Sequence, residues 1–327
     1  MKLVTGAAGF IGSNLVAALE QSGDSVVICD WLDDQSKIRN IDKLGTLTRV
    51  PPNDLFSFLA EHSKDIETIF HLGAISSTTE SNEDLILKTN VELPIRIWNW
   101  CCDNNSRLIY ASSAATYGNG NLGFFDNDSV DYLKNLKPLN VYGRSKNQFD
   151  IWVAEEIKRG SRTPAQWAGV KFFNVYGPNE YHKGYQMSVV PQIYNQIIEN
   201  GEARLFKSYN SQFKDGEQQR DFVWVGDCVS FMRWLDQSSE ISGIFNCGSG
   251  TARTFFDVAD IIFKAMKREA RVRYISMPNN VKQHYQYFTR ANMEKPFAAG
   301  YTTELTTLES GVTQYVQEYL MTNEKYI

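Results

Sequence analysis

Three tyrosines in this chain stand directly before a glycine: Tyr117 in YASSAATYG, Tyr142 in PLNVYGRSK and Tyr176 in FFNVYGPNE. Only Tyr142 has a lysine four residues on, Lys146; Tyr176 has Glu180 there and Tyr117 has Asn121. On a helix that spacing puts phenol and ammonium on one face. A tyrosine with an ordinary pKa of about 10 is a poor base at neutral pH. A cation about 4 Å away, at an effective dielectric of about 20, contributes roughly 4 kcal/mol, or about three pKa units before desolvation opposes it. Tyr142 and Lys146 are therefore read as a proton-exchanging couple. Ser113, near the end of YASS, is the third catalytic candidate, its hydroxyl placed to hold a substrate oxygen. The plain alternatives are a surface helix pair of little energetic weight and a strand-end turn serine.

A second cluster lies at the start of the chain. TGAAGFIG spaces Gly6, Gly9 and Gly12 three apart, between the apolar stretch Lys2–Thr5 and a helical pattern carrying Ile11, Leu15, Ala18 and Leu19 on one face. Glycines there permit a tight turn and let a pyrophosphate approach the positive end of a helix. The placement between strand and helix points to a dinucleotide. Asp30 follows Gly12 by eighteen residues and ends the next apolar run, where an acid can bind a ribose 2′-hydroxyl and favour NAD. Lys37 and Arg39 stand close by and could neutralise the 2′-phosphate of NADP. The local residues leave the choice open. An oxidised nicotinamide, itself positive, would assist Tyr142 in the same sense as Lys146.

The elements that must position these groups alternate. Lys2–Thr5, Ser25–Asp30, Thr68–Leu72 and Leu108–Ser112 read as strands, with helical patterns after the first and around Asp84–Cys102. That alternation predicts an α/β fold: a Rossmann-type doubly wound parallel sheet with a smaller mixed α/β substrate domain. After about Phe173 the loops lengthen, as in NSQFKDGEQQ, helical pieces recur around Val189–Glu199 and Phe255–Lys267, and RDFVWV reads as a return to the sheet. The expected domains are interleaved: 1–173 plus 220–246 for the dinucleotide, 174–219 plus 247–327 for the substrate. The 327 residues, 43% hydrophobic and 22% charged, supply ample core. A net charge of −5 without a basic run argues against nucleic acid as a partner. Cys29, Cys101, Cys102, Cys228 and Cys247 form no C-x-x-C pair, and no Cys/His cluster has metal-ligand spacing, so they read as reduced thiols with no metal site. The opening MKLVTGAAGF has no signal-peptide layout and no apolar run reaches membrane-spanning length, so a cytoplasmic protein with no membrane partner is expected.

GAAGFIG, YASSAATYG, YGRSK, FFNVYGP and RDFVWVGD together resemble the extended short-chain dehydrogenase/reductase family, the nucleotide-sugar epimerases and dehydratases, over nearly the whole chain. HLGAISSTTE, PLNVYG, the HKG after FFNVYGP, and GIFNCGSG narrow the resemblance to its branch of heptose 6-epimerases. The resemblance implies epimerisation at C6″ of ADP-heptose by transient oxidation, for lipopolysaccharide inner-core synthesis, with NADP retained (NAD staying open) and with self-association. It implies cofactor contacts at Gly6, Gly9, Phe10, Ile11, Gly12, Asp30, Trp31, Lys37, Leu72, Gly73, Ala74, Ile75, Ser76, Asn90, Lys146, Val175 and Lys183. Substrate contacts carry over to Asn174, Tyr185, Gln192, Phe206, Lys207, Ser208, Tyr209, Arg220 and Tyr285. Arg220 suits the ADP pyrophosphate because its planar fork is bidentate, with an interdomain salt bridge as the plain alternative.

By the same resemblance Lys183, in HKG, is a catalytic lysine. Hydride leaves one face of an exocyclic carbon and returns to the other, so the ketone must reposition, and its oxygen then meets a second acid–base group. Leu72, Gln192 and Tyr185 depart from the branch, where Glu, His and Ser are usual, and touch pocket lining rather than reaction type. A UDP-hexose 4-epimerase or another nucleotide-sugar-modifying enzyme is the nearest rival. A dehydratase would carry an Asp-Glu pair where Ala114 and Ala115 follow Ser113. A non-catalytic Rossmann scaffold would have no use for the Tyr142–Lys146 pair.

Overall fold

The computed structural model describes residues 1–45, 47–77, 82–282 and 285–327. Twelve strands are described: β1 (Lys2–Thr5), β2 (Val26–Cys29), β3 (Thr48–Val50), β4 (Thr68–His71), β5 (Arg107–Ser113), β6 (Trp167–Phe172), β7 (Asn174–Tyr176), β8 (Ala203–Phe206), β9 (Gln219–Trp224), β10 (Gly243–Cys247), β11 (Ala252–Thr254) and β12 (Val272–Ile275). Seven form one parallel sheet in the order β10-β6-β5-β4-β1-β2-β3. The chain order reverses between β1 and β4, which opens a crevice at their carboxyl ends.

The strands are short apolar runs because both faces are covered. Leu3, Val4, Val27, Ile28, Ile69, Phe70, Leu108, Ile109, Ala168, Val170, Ile244 and Phe245 are buried in one core, and each large aliphatic side chain so buried contributes roughly 1.5–3 kcal/mol. The helix Val141–Arg159 starts where Asn140 accepts the Gly143 N–H at 2.8 Å and stops at Gly160, whose φ is +71°. A second core gathers Tyr176, Val190, Ile193, Phe222, Val258, Ile262, Tyr315 and Val316. It lies around the helices Val189–Asn200 and Phe255–Ala265 and the helical C-terminal segment.

One expectation needs correction, and another gains detail. RDFVWV does not rejoin the main sheet. It is β9, centre of a three-stranded sheet between β11 and β7. On it, the buried Asp221 carboxylate accepts from Ser249 N (2.6 Å), Ser249 Oγ (2.8 Å), Gly250 N (2.9 Å) and Ala291 N (2.9 Å), tying β9 to these loops. The helical stretch around Asp84–Cys102 is three pieces: Glu83–Leu87, a π-helical turn Lys88–Glu92, and Leu93–Asn104. The wider turn holds Asn90 where its amide is consumed by two other elements, described next.

Candidate active site

The glycine turn is built as a cradle. Gly6 has φ +67°, and a Cβ there would stand 2.6 Å from Gly73 N; a Cβ on Gly12 would stand 2.1 Å from Gly6 O. Only glycine fits at either position. Gly9 caps the helix Phe10–Gln21 with no side-chain cap, so the N–H groups of its first turn face the crevice. This geometry fits the pyrophosphate of a dinucleotide. Asp30 is buried beside it, its carboxylate accepting from Ala8 N (2.8 Å), Trp31 N (2.7 Å) and the Lys37 ammonium. The Trp31 ring is exposed.

The end of β4 continues the crevice. Leu72 N donates to Thr5 O at 3.1 Å and Gly73 N to Thr5 Oγ1 at 3.2 Å. Ala74 and Ile75 are half-buried and Ser76 is exposed. Asn90 accepts from Ile75 N at 2.9 Å and donates to Ile75 O and Ser145 Oγ, both at 3.0 Å. Its amide therefore holds the loop that lines the crevice. The Thr78, Thr79 and Glu80 of HLGAISSTTE lie outside the described residues.

Tyr142, Lys146 and Ser113 come together. The Ser113 side chain lies close enough to Tyr142 to lower its pKa, and Lys146, buried, donates to the Ala111 carbonyl at 2.9 Å. The proximity argument above put Lys146 foremost in setting the Tyr142 phenol. In the structure burial is foremost: it pushes the phenol up, Ser113 pulls it down, and Asp150 pushes it up again. Burial also brings Lys146 down to about 8, with Asp150 opposing. The lysine's first hydrogen-bond partner is β5, because its side chain lies along the helix-facing side of that strand. Tyr117 and Tyr176 do other work. Tyr117 is buried with its hydroxyl 2.6 Å from Asn246 Oδ1, and Tyr176 is wholly inside the second core.

Lys183 lies beside the glycine cradle. Its Nζ lies 5.4 Å from the centre of the Phe10 ring, at the first turn of the cradle's helix. Burial lowers its pKa and Glu180 raises it. His182, beside it, is brought down to about 4 by burial and by the charges of Lys37 and Lys183. Sequence reasoning missed what holds this loop. Glu180 is fully buried and accepts from Ser188 N, Ser188 Oγ (2.8 Å), Gly177 N (3.3 Å) and Tyr315 OH (3.2 Å). Its signal, an acid inside a run of buried residues, is visible only once burial is known.

The substrate candidates divide. Arg220 is buried between Tyr285 (5.2 Å) and Phe255 (5.6 Å), and Tyr285 meets Phe206 at 6.3 Å. Tyr209 joins them through Tyr287, whose hydroxyl accepts the Tyr209 N–H at 3.1 Å, and Lys282 lies 3.5 Å over the Tyr209 ring. Among the described residues no carboxylate pairs with Arg220, whose Nη1 donates to Gln219 O at 2.8 Å, and a buried guanidinium suits an anion. Asn174 reaches this group through Thr289 Oγ1, at 3.4 Å, and Val175 follows it half-buried. Lys207 is exposed, whereas Ser208 is spent on its own turn with Asp215 and Asn210. Gln192 donates to Met187 O at 2.6 Å and Tyr185 is 77% exposed, so these two line the loop's outer side.

Residues 2–248 match the NAD dependent epimerase/dehydratase family. A Fusobacterium nucleatum protein named ADP-L-glycero-D-manno-heptose-6-epimerase is 43% identical, the alignment covering 100% of each chain. A Brachyspira hyodysenteriae protein of the same name is 36% identical over 97% of each. Among solved structures, a Helicobacter pylori ADP-L-glycero-D-manno-heptose-6-epimerase superposes with a TM-score of 0.78 at 28% identity, covering 97% of this chain and 95% of that one. A Bacillus anthracis dTDP-glucose 4,6-dehydratase in complex with NAD shares the fold, with a TM-score of 0.78 at 21% identity over 99% and 98%.

Proposed function

The chain belongs to the NAD dependent epimerase/dehydratase family, and from that premise we propose that it is an isomerase inverting C6″ of ADP-D-glycero-D-manno-heptose to the L-glycero epimer, for the inner core of lipopolysaccharide. What supports this is Lys183, whose Nζ lies 5.4 Å from the centre of the Phe10 ring at the start of the cradle's helix, in addition to the Ser113–Tyr142–Lys146 group. A 4-epimerase needs only the second of these. A bound nicotinamide supplies the hydride acceptor and donor. Ser113 and Tyr142 hold one carbinol oxygen and take its proton as hydride leaves C6″. Lys183 would supply the proton to the oxygen of the repositioned C6″ ketone, and proton exchange with solvent would reset Tyr142 and Lys183 between turnovers. A lysine whose pKa burial has lowered is suited to that exchange. Arg220, with Phe206, Tyr209 and Tyr285, receives the ADP moiety.

NADP is the cofactor in this reading. Asp30 already accepts from three donors, which leaves little capacity for a 2′-hydroxyl, and the Lys37 ammonium sets positive charge next to it. Lys37→Ala should lower the NADP to NAD affinity ratio; an unchanged ratio refutes the assignment. Self-association and a cytoplasmic site of action belong to the same reading. The latter is supported by five free thiols, and no described helix is long and apolar enough to cross a membrane. The deciding assay incubates purified protein with ADP-D-glycero-D-manno-heptose and resolves the epimers. Conversion that falls by orders of magnitude in Lys183→Ala, with cofactor still bound, is expected. No conversion, beside turnover of a UDP-hexose, overturns the reading.

A further inference from the structure

Under the catalytic group lies a buried ion pair that nothing above uses. Asp150 and Lys171 both have side-chain exposures of 0% and meet at 2.6 Å. Asp150 is on the helix of Tyr142 and Lys146, one further turn along the same face. Its carboxylate also accepts from Ser112 Oγ at 2.7 Å and Tyr110 OH at 3.2 Å, both on β5. Tyr110 reaches it because β6 offers Gly169, where a Cβ would stand 2.5 Å from that hydroxyl. Lys171, on β6, donates to Thr116 Oγ1 at 2.7 Å, and Thr116 donates to the Ser113 carbonyl at 2.8 Å. A continuous chain of contacts thus runs from the helix, through the pair, to the strand end that carries Ser113.

We propose that Asp150, held by Lys171, is the positioning residue of the Ser113–Tyr142–Lys146 group: it locks the strand end bearing the serine to the helix bearing the couple and supplies the negative charge beneath both. This rests on the reading of Tyr142 as the proton-exchanging group. Two buried charges cost desolvation and rarely stabilise more than an apolar pair would, so a fully buried pair at this place calls for a role other than stability. Around the pair stand Tyr110 and Ser112 of β5 on Asp150 and Thr116 and Tyr117 on Lys171, while Ser113 acts on Tyr142 and Lys146 on His71 of β4. Asp128 acts on Tyr110 and Asp126 on Tyr117 from farther out. Of the carboxylates, only Asp150 acts on both members of the couple: after burial, which is the larger influence on each, it raises Tyr142 and Lys146 alike.

The test compares the pH dependence of kcat/KM of the holoenzyme for wild type, Asp150→Asn, Asp150→Glu and the double variant Asp150→Asn/Lys171→Met. The double variant leaves no lone buried charge and keeps the comparison open if the single one folds poorly. Loss of the carboxylate makes both phenolate and neutral lysine easier to form. Both limbs of the profile should therefore move to lower pH, by about half a unit or more, in Asp150→Asn, and by a smaller step in the same direction in the double variant, where the farther Lys171 cation is lost with the carboxylate. Asp150→Glu should return them toward wild type. Limbs that stay in place or move up, at any level of turnover, overturn the proposal, because a purely structural pair would change turnover without moving them. Tyr142→Phe separates the two readings: if it retains wild-type turnover the Tyr142 assignment itself fails, and if it is inactive while the limbs stay fixed only the role of Asp150 fails.

Discussion

His71, at the carboxyl end of β4, is a buried imidazole that must stay neutral. Its Nδ1 lies 2.7 Å from Thr5 Oγ1, and its Nε2 has no partner among the described residues. Burial first, and the charge of Lys146 second, bring its pKa from about 6.5 down to about 3. Because the folded value is the lower one, the unfolded chain binds more protons between them. The stability this creates is complete above pH 6.5 and is lost as pH falls toward 3. The expected size is a few kcal/mol, at 1.36 kcal/mol for each unit of pKa. Urea midpoints measured at pH 7 and pH 4.5 should fall further in the wild type than in His71→Gln. Equal falls would place the acid sensitivity elsewhere.

The π-helical turn Lys88–Glu92 links two elements of the candidate site. It turns Asn90 so that one amide serves both the loop after β4, at Ile75, and the catalytic helix, at Ser145, whose hydroxyl in turn donates to Tyr142 O at 2.8 Å. Asn90→Ala strips partners from a backbone N–H and C=O, at about 1–3 kcal/mol. Cofactor dissociation constants should rise roughly tenfold, since 1.4 kcal/mol is one decade, while the fold persists. A fluorescence titration that gives wild-type affinity would refute the linkage. What the sequence shows at this scale follows from range. β1, β4 and β5 are apolar runs found within a residue of their ends, and Tyr142, Lys146 and the glycines speak through local spacing. β9 misled because its partners, β7 and β11, are paired with it over long range. Glu180, Asp150 and Lys171 look like ordinary charges in the sequence; only the packing of distant segments buries and pairs them.

At the scale of the whole molecule, two cores must hold cofactor and nucleotide sugar in register, and Asp221 is the joint. It stands on β9, next to the Arg220 proposed for the ADP moiety, and gathers N–H groups from the loop after β10 of the main sheet and from Ala291 on the returning segment. Burial raises its pKa to about 6 against the pull of these donors, so the carboxylate is ionised at neutral pH and its bonds are charge-assisted. Asp221→Ala leaves several buried donors without an acceptor, costing roughly 2–5 kcal/mol in total. The damage should be unequal. The main sheet keeps its own core and its cradle, so cofactor affinity stays near wild type. The Arg220 group loses its register, so ADP binding weakens and the KM for nucleotide sugar rises. In a urea titration of the variant, loss of ADP binding should precede cofactor release; in the wild type the two should coincide. Coincident transitions in Asp221→Ala would mean that the cores are joined by their apolar contacts alone, and that Asp221 serves only its own loop.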